Sequence, residues 1–143
     1  RHLKRNVIIA FIDLDDFKLI NDRYGHETGD QFLIEVGKRL SEEKTDDEII
    51  GRLGGDEFLV ACLSQTENQA DHTQINQLKT RLRARIAGYY GLDSVNIVYP
   101  GASLGIIDVD PAGTDEDSAL RAADVAMYQD KKGKSKTRFL DLD

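Results

Sequence analysis

Residues Asn6 to Ile12 form a continuous run rich in β-branched side chains, apolar from Val7 on and too short for a helix. A run of that kind reads as a strand buried on both faces. It ends in acid, Asp13-Leu14-Asp15-Asp16. Any fold built around this strand therefore delivers carboxylates to its C-terminal edge.

The elements that follow are spaced for a small mixed domain. A short helix is expected from about Asp16 to Tyr24, stopped at Gly25, which can take the left-handed conformation a helix end favours. Thr28 and Gln31 make a capping-box pattern, so a second helix is expected to start there and bury Phe32, Leu33, Val36 and Leu40 on one face. Ile49–Leu53 and Glu57–Leu63 are apolar runs around Gly54-Gly55-Asp56, and a glycine pair supplies the positive φ angles of a tight hairpin. A long helix is expected from about Asn68 to Tyr89, burying Ile75, Leu78, Leu82 and Ile86. Strand patterns return near Val95–Tyr99 and Ala102–Val109. A last helix spans about Glu116 to Asp130 with Leu120, Ala123 and Met127 on one face, and a final strand is expected at Thr137–Leu140.

The core order is β-α-β-β-α-β with decorations, which predicts an α+β fold: a ferredoxin-like antiparallel sheet with helices on one face. In that sheet the third strand lies between the first two, so the Gly54-Gly55 turn returns to the edge where the first strand ends. Asp13 and Asp56 are thus expected to meet.

Neither repeats nor low-complexity linkers divide the 143 residues, so one domain is expected over 1–143. At this size roughly two thirds of the extended chain's surface is buried on folding, enough for a core without staples. The single Cys62 could form no internal disulfide, and it reads as a core residue. Val7–Ile12 is the longest apolar run and is far too short to cross a bilayer; a soluble, cytoplasmic domain with no direct membrane contact is expected. The net charge of −7 argues against a nucleic-acid partner. Charge is also unevenly placed. Lys131, Lys132, Lys134, Lys136 and Arg138 form a basic tail, leaving 14 positive against 26 negative residues elsewhere, or −12. An acidic body with one basic tail suits a metal at one place and phosphates at another.

Two carboxylates at one sheet edge beside a helix N-terminus suit Mg²⁺ held together with a nucleoside triphosphate, since that ion takes one or two protein carboxylates and fills its octahedron with phosphate oxygens and water. The N–H groups near Phe17 and Lys18 are expected to cradle phosphate, with Lys18 adding a formal charge. Asp15 and Asp16 read as helix caps rather than extra ligands.

Three stretches in order, Asp13-Leu14-Asp15-Asp16-Phe17-Lys18-Leu19-Ile20-Asn21-Asp22, Gly25-His26-Glu27-Thr28-Gly29-Asp30 and Arg52-Leu53-Gly54-Gly55-Asp56-Glu57-Phe58, resemble the GGDEF domain of diguanylate cyclases. Ala102-Ser103-Leu104-Gly105-Ile106 and Ala123-Asp124-Val125-Ala126-Met127-Tyr128 extend the resemblance over almost the whole chain. It implies a palm-like fold related to nucleotidyl cyclases. It also implies condensation of two GTP into cyclic di-GMP with release of pyrophosphate, in an active site formed between two domains of a homodimer. By resemblance Asp13, Asp56 and the Leu14 carbonyl hold the metal, Mg²⁺ with Mn²⁺ as an alternative. Asp56 and Glu57 stand at the catalytic positions, although a metal-bound carboxylate is a poor general base. Phe17, Lys18, Asn21, His26, Asp30, Lys131 and Lys134 match substrate contacts. Guanine presents two adjacent donors that a carboxylate accepts together, which fits Asp30, with Asn21 completing the base contact.

The chain also departs from the family pattern. The Arg-x-x-Asp motif of product-inhibited members is replaced by Thr45-Asp46-Asp47-Glu48, so that inhibitory site is expected to be absent. The segment Lys131-Lys132-Gly133-Lys134 is shortened, which moves the second basic residue by one position. The usual Asp-x-Leu-Thr opening is missing, so a longer protein is expected, its upstream part sensory or anchored in the inner membrane. A non-catalytic GTP-binding module that regulates a neighbouring domain is the rival reading. Other motifs fail: the sixth position of a calcium loop starting at Asp13 is Lys18 rather than glycine, and Tyr128 stands where a P-loop ending at Gly133-Lys134-Ser135 needs one. His2 and His72 have no partner at metal-ligand spacing.

Overall fold

The computed structural model describes residues 5–67, 72–133 and 139–143. The elements run β1 (Arg5–Asp13), α1 (Phe17–Tyr24), α2 (His26–Glu43), β2 (Ile49–Gly54), β3 (Glu57–Glu67), α3 (His72–Ile86), β4 (Gly88–Gly91), β5 (Asn96–Tyr99), β6 (Ser103–Val109), α4 (Glu116–Gly133) and β7 (Leu140–Asp141). Two antiparallel sheets form among the described residues, one in the order β2-β3-β1-β6 and the other β4-β5-β7. The first is the expected ferredoxin-like sheet, with β3 between β1 and β2.

Alternate residues of β1 and β3 face one way because strand side chains have a period of two. Ile8, Ala10 and Ile12 from β1 and Phe58, Val60 and Cys62 from β3 enter one buried cluster with Phe32, Val36 and Leu40 of α2 and Leu78, Leu82 and Ile86 of α3. Each large apolar side chain removed from water there contributes about 1.5–3 kcal/mol. The central strand is accordingly fixed in register, which fixes where its acidic end lies.

The small sheet extends the core through aromatics. Phe32 sits 4.8 Å by ring centroid from both Tyr90 and Tyr99. The expectation of helices on one face alone is corrected: α4 lies against β6 on the opposite face of the main sheet, over Gly105, which pairs with Phe11, and the contact needs a glycine. A Cβ on Gly105 would fall 2.7 Å from the Ala123 carbonyl oxygen and 2.9 Å from the Met127 nitrogen.

Three local expectations are corrected. The second helix begins at His26, capped at Gly25 with no side-chain cap, so Thr28 lies inside it. The Thr28 hydroxyl meets Ser94 Oγ at 2.7 Å, and Gln31 exchanges hydrogen bonds with Asp93, through Nε2 to its carboxylate at 2.7 Å and Oε1 from its N–H at 2.9 Å. The residues that pattern as a capping box instead fasten α2 to the loop before β5. The third helix stops at Ile86 rather than Tyr89, because Gly88–Gly91 pairs with β5. Asp16 takes the N-cap position of α1 with φ 63° but makes no side-chain cap bond, and Asp15 serves a different partner, described below. The expected beginning of the third helix at 68–71, and residues 137 and 138 of the expected last strand, lie outside the described residues.

Candidate nucleotide and metal site

Asp13 is the last residue of β1, with Glu57 opposite it on β3 and Ser103 opposite it on β6. The chain leaves that rung through Leu14, whose N–H donates to the Asp56 carbonyl at 3.1 Å. With the Asp13–Glu57 rung, this bond fastens the hairpin turn to the end of β1, and the Asp13 and Asp56 carboxylates stand close enough to act on one another, as the topology predicts. The turn itself has Gly54 at φ 131° and Gly55 at φ 47°. Arg52 closes it, donating to the Gly55 carbonyl from Nη2 at 2.9 Å and Nε at 3.3 Å.

The Asp13–Asp16 loop is held from three further directions. Tyr99 O–H donates to the Asp15 carbonyl at 2.5 Å, and Ser103 Oγ donates to the Asp15 carboxylate at 2.8 and 3.0 Å. Phe17 N–H donates back to the Leu14 carbonyl at 3.3 Å. That last bond engages the Phe17 N–H, one of the groups expected to cradle phosphate, with the Leu14 carbonyl. The sequence reading assigns no role to Tyr99 or Ser103. Their signal is the pairing of Ser103 with Asp13 across β1 and β6, which only the strand register reveals.

Among the described residues the edge is an acidic cluster with the Lys131 cation beside it. Burial first, and then the Asp13 carboxylate beside it, push the Asp56 carboxyl above the ordinary value. Glu57 is raised for the same reasons, burial ahead of the Asp13 and Asp56 charges. Lys131 Nζ donates to Asp13 Oδ2 at 2.6 Å, and this bond raises its own pKa. Asp13, Glu57 and Lys131 line one wall of a 370 Å³ groove that runs on between the sheet and α4 past Phe11 and Met127.

The other predicted contacts gather at the α1–α2 corner. Asn21 packs its side chain onto Gly29, and its Oδ1 is buried with no hydrogen-bond partner among the described residues. His26 and Asp30 are exposed, four residues apart on α2, a spacing that puts them on one helix face. Lys18 is exposed and lies 3.9 Å from Asp22. Phe17 is half-buried, its ring centroid 6.5 Å from that of Phe32. Lys134 lies outside the described residues.

Hard oxygen donors suit a hard divalent cation. Asp13 and Asp56 supply two carboxylates, and the carbonyl of Leu14, the residue after Asp13, keeps a lone pair beyond the one that Phe17 engages. Among the described residues no three His, Cys, Asp or Glu side chains converge as a closed cage. The donor set fits an ion that takes its remaining ligands from phosphate and water. No helix among the described residues is long and apolar enough to cross a membrane.

A ferredoxin-like sheet with paired carboxylates at the end of its first strand and a lysine beside them is the arrangement expected of a palm-type, nucleotidyl cyclase-like domain. Residues 1–137 match the family described as "Diguanylate cyclase, GGDEF domain", and the chain belongs to that family. It is 56% identical over 140 residues to diguanylate cyclase DgcP of Escherichia coli K12, covering 98% of this chain and 40% of that one. It is 38% identical over 133 residues to cyclic di-GMP phosphodiesterase PdeR of the same organism, covering 92% of this chain and 19% of that one. The chain thus spans less than half the length of these curated relatives. Among solved structures, a sensory box/GGDEF family protein from Caulobacter crescentus CB15 superposes with a TM-score of 0.77 at 30% identity, covering 91% of this chain and 81% of that one.

Proposed function

We propose that residues 1–143 form a single diguanylate cyclase domain. It condenses two GTP into cyclic di-GMP and two pyrophosphates, with one GTP bound by each member of a homodimer. In each half-reaction a 3′-hydroxyl oxygen bonds to the α-phosphorus of the facing GTP and gives up its proton to water, the α–β anhydride bond breaks, and pyrophosphate leaves. The observation that carries this reading is the meeting of Asp13 and Asp56 at one sheet edge, fastened by the bond from Leu14 N–H to the Asp56 carbonyl.

Asp13, Asp56 and the Leu14 carbonyl would hold Mg²⁺, or Mn²⁺ in its place. Bound there, the ion would neutralise charge at the α-phosphate and lower the pKa of the attacking hydroxyl. Lys131 and Lys18 bind phosphate oxygens, with Lys134 as a further basic contact. Asp30 accepts the paired guanine donors and Asn21 completes the base contact, a donor pair that adenine does not offer. Glu57, at the second acidic position of the turn, adds negative charge to the metal edge. The bonds from Tyr99 and Ser103 to Asp15 hold the Asp13–Asp16 loop in place before substrate arrives, which lowers the reorganisation needed in the transition state. The Thr45–Glu48 stretch carries no arginine, and product inhibition through an Arg-x-x-Asp site is absent from this reading.

A GTP-binding regulatory module is the second reading. It is favoured by the match to PdeR, a protein named for phosphodiesterase activity. The experiment that separates the two is mass-spectrometric product analysis of the domain fused to a dimerising coiled coil, with GTP and Mg²⁺, beside the Asp56→Ala control. Cyclic di-GMP made by the first and lost in the second supports the cyclase. A folded, dimeric fusion that binds GTP without turnover supports the regulatory module.

A further inference from the structure

Asp130 is a charged side chain where the helix pattern places an apolar one. It follows Ala123 by seven residues and Met127 by three on α4, and its side chain is 4% exposed. Carboxylates are almost never buried unless paired, and this one is held by three donors. The Leu104 N–H of β6 donates to Oδ2 at 2.7 Å, the Arg83 guanidinium of α3 donates to Oδ1, and Lys79 Nζ of α3 lies 3.4 Å from Oδ1. Burial alone would raise this carboxyl; the Leu104 N–H, Arg83 and Lys79 overcome it and hold Asp130 below its ordinary value.

The following residue reaches the acidic edge. Successive helix positions diverge by about 100°, so Asp130 faces α3 and β6 while Lys131 Nζ reaches Asp13 Oδ2. The rung that Asp130 grips is the adjacent one: Leu104 pairs with Ile12, and Ser103 with Asp13. Lys131 lies in the last turn of α4, which ends at Gly133, and terminal turns fray unless fastened. An apolar residue at 130 would bury the turn at lower desolvation cost. Three directional bonds fix its position as well.

We propose that Asp130 is a positioning residue, clamping the last turn of α4 to α3 and β6 so that the Lys131 ammonium is held at the Asp13 edge to receive the GTP triphosphate. This rests on the reading of that edge as a GTP site. The test is equilibrium binding of Mg²⁺ with 3′-deoxy-GTP, which lacks the attacking hydroxyl, to the wild type, Asp130→Asn, Lys131→Met and the double variant, with a melting curve for each. Asp130→Asn is expected to weaken binding about fivefold when Lys131 is present and to have no further effect when Lys131 is methionine, as for coupled neighbours. Arg83→Gln with Lys79→Gln removes the clamp while leaving Asp130 in place, and is expected to follow the same pattern. Equal losses in both Lys131 backgrounds, or no loss in a folded Asp130→Asn domain, would overturn the positioning role while leaving the GTP site standing. A wild-type domain that binds no 3′-deoxy-GTP would overturn the proposed function and this role with it.

Discussion

Asn21 of α1 and Gly29 of α2 fit so closely that a Cβ on Gly29 would lie 1.7 Å from Asn21 Oδ1. The two helices therefore share one corner, and the side chain proposed to read guanine rests on a bare backbone. Gly29→Ala is expected to push the Asn21 amide out of that position and weaken GTP binding about tenfold, the equivalent of roughly one hydrogen bond. Preference for GTP over ATP should fall with it. The melting temperature should move little, because alanine gains about 1 kcal/mol of helix propensity over glycine against the cost of displacing Asn21. Titration with both nucleotides checks this; unchanged discrimination in a folded variant would remove Asn21 from the base pocket.

The Lys131 ammonium stands against Asp13 as a divalent ion would. Cation and metal compete for Asp13 Oδ2, 2.6 Å from Nζ. Lys131→Met is accordingly expected to tighten binding of Mn²⁺ alone, measured by electron paramagnetic resonance without nucleotide, by about threefold, a modest effect because the pair is partly exposed. The same variant should bind Mg²⁺ with GTP more weakly, since a phosphate contact is lost. Weaker Mn²⁺ binding would show that Lys131 supports the metal site instead of competing for it.

The main sheet and the meeting of Asp13 with Asp56 were legible in the sequence because each depends on short-range signals: an apolar run, a glycine-pair turn and a strand order. What escaped reading depends on contacts between distant residues. Thr28 and Gln31 fit a capping box locally, yet their partners Ser94 and Asp93 lie more than sixty residues away. Tyr89 and Tyr90 continue an apolar pattern that a helix and a strand share, and pairing with Val98 and Ile97 decides for the strand. Asp130 was readable in principle, since its spacing from Ala123 and Met127 placed a carboxylate on the buried face. Its three donors were not.

Asp56 gives the domain a stability that depends on pH with a definite sign. Its carboxyl is raised from 3.8, first by burial and then by Asp13. Below that value it is protonated in both folded and unfolded chains and contributes nothing. As pH rises the unfolded chain releases the proton first, so folding loses stability until the raised folded value is passed, and the loss then persists at neutral pH. Asp56→Asn should therefore melt at a higher temperature than the wild type near neutrality in the presence of a chelator, with the difference shrinking toward acid. A variant less stable than the wild type at neutral pH would mean that Asp56 is held by favourable bonds that outweigh the repulsion.

The stretch before β2 bears on control by product. Glu48 is buried, takes up the Arg81 guanidinium and accepts the Thr45 N–H at 3.1 Å, while Thr45 Oγ1 donates to Asp47 at 2.5 Å. The carboxylate at position 48 is thus committed to the fold, joining this turn to α3. Asp46 and Asp47 beside it are exposed acids that repel a doubly anionic dinucleotide. Added cyclic di-GMP is expected to leave the maximal rate of the dimerised domain unchanged at low concentration and to compete with GTP only where it reaches the active site. Initial rates over a grid of GTP and cyclic di-GMP concentrations separate the two patterns. Potent noncompetitive inhibition would place a product site elsewhere on the domain, away from Thr45–Glu48.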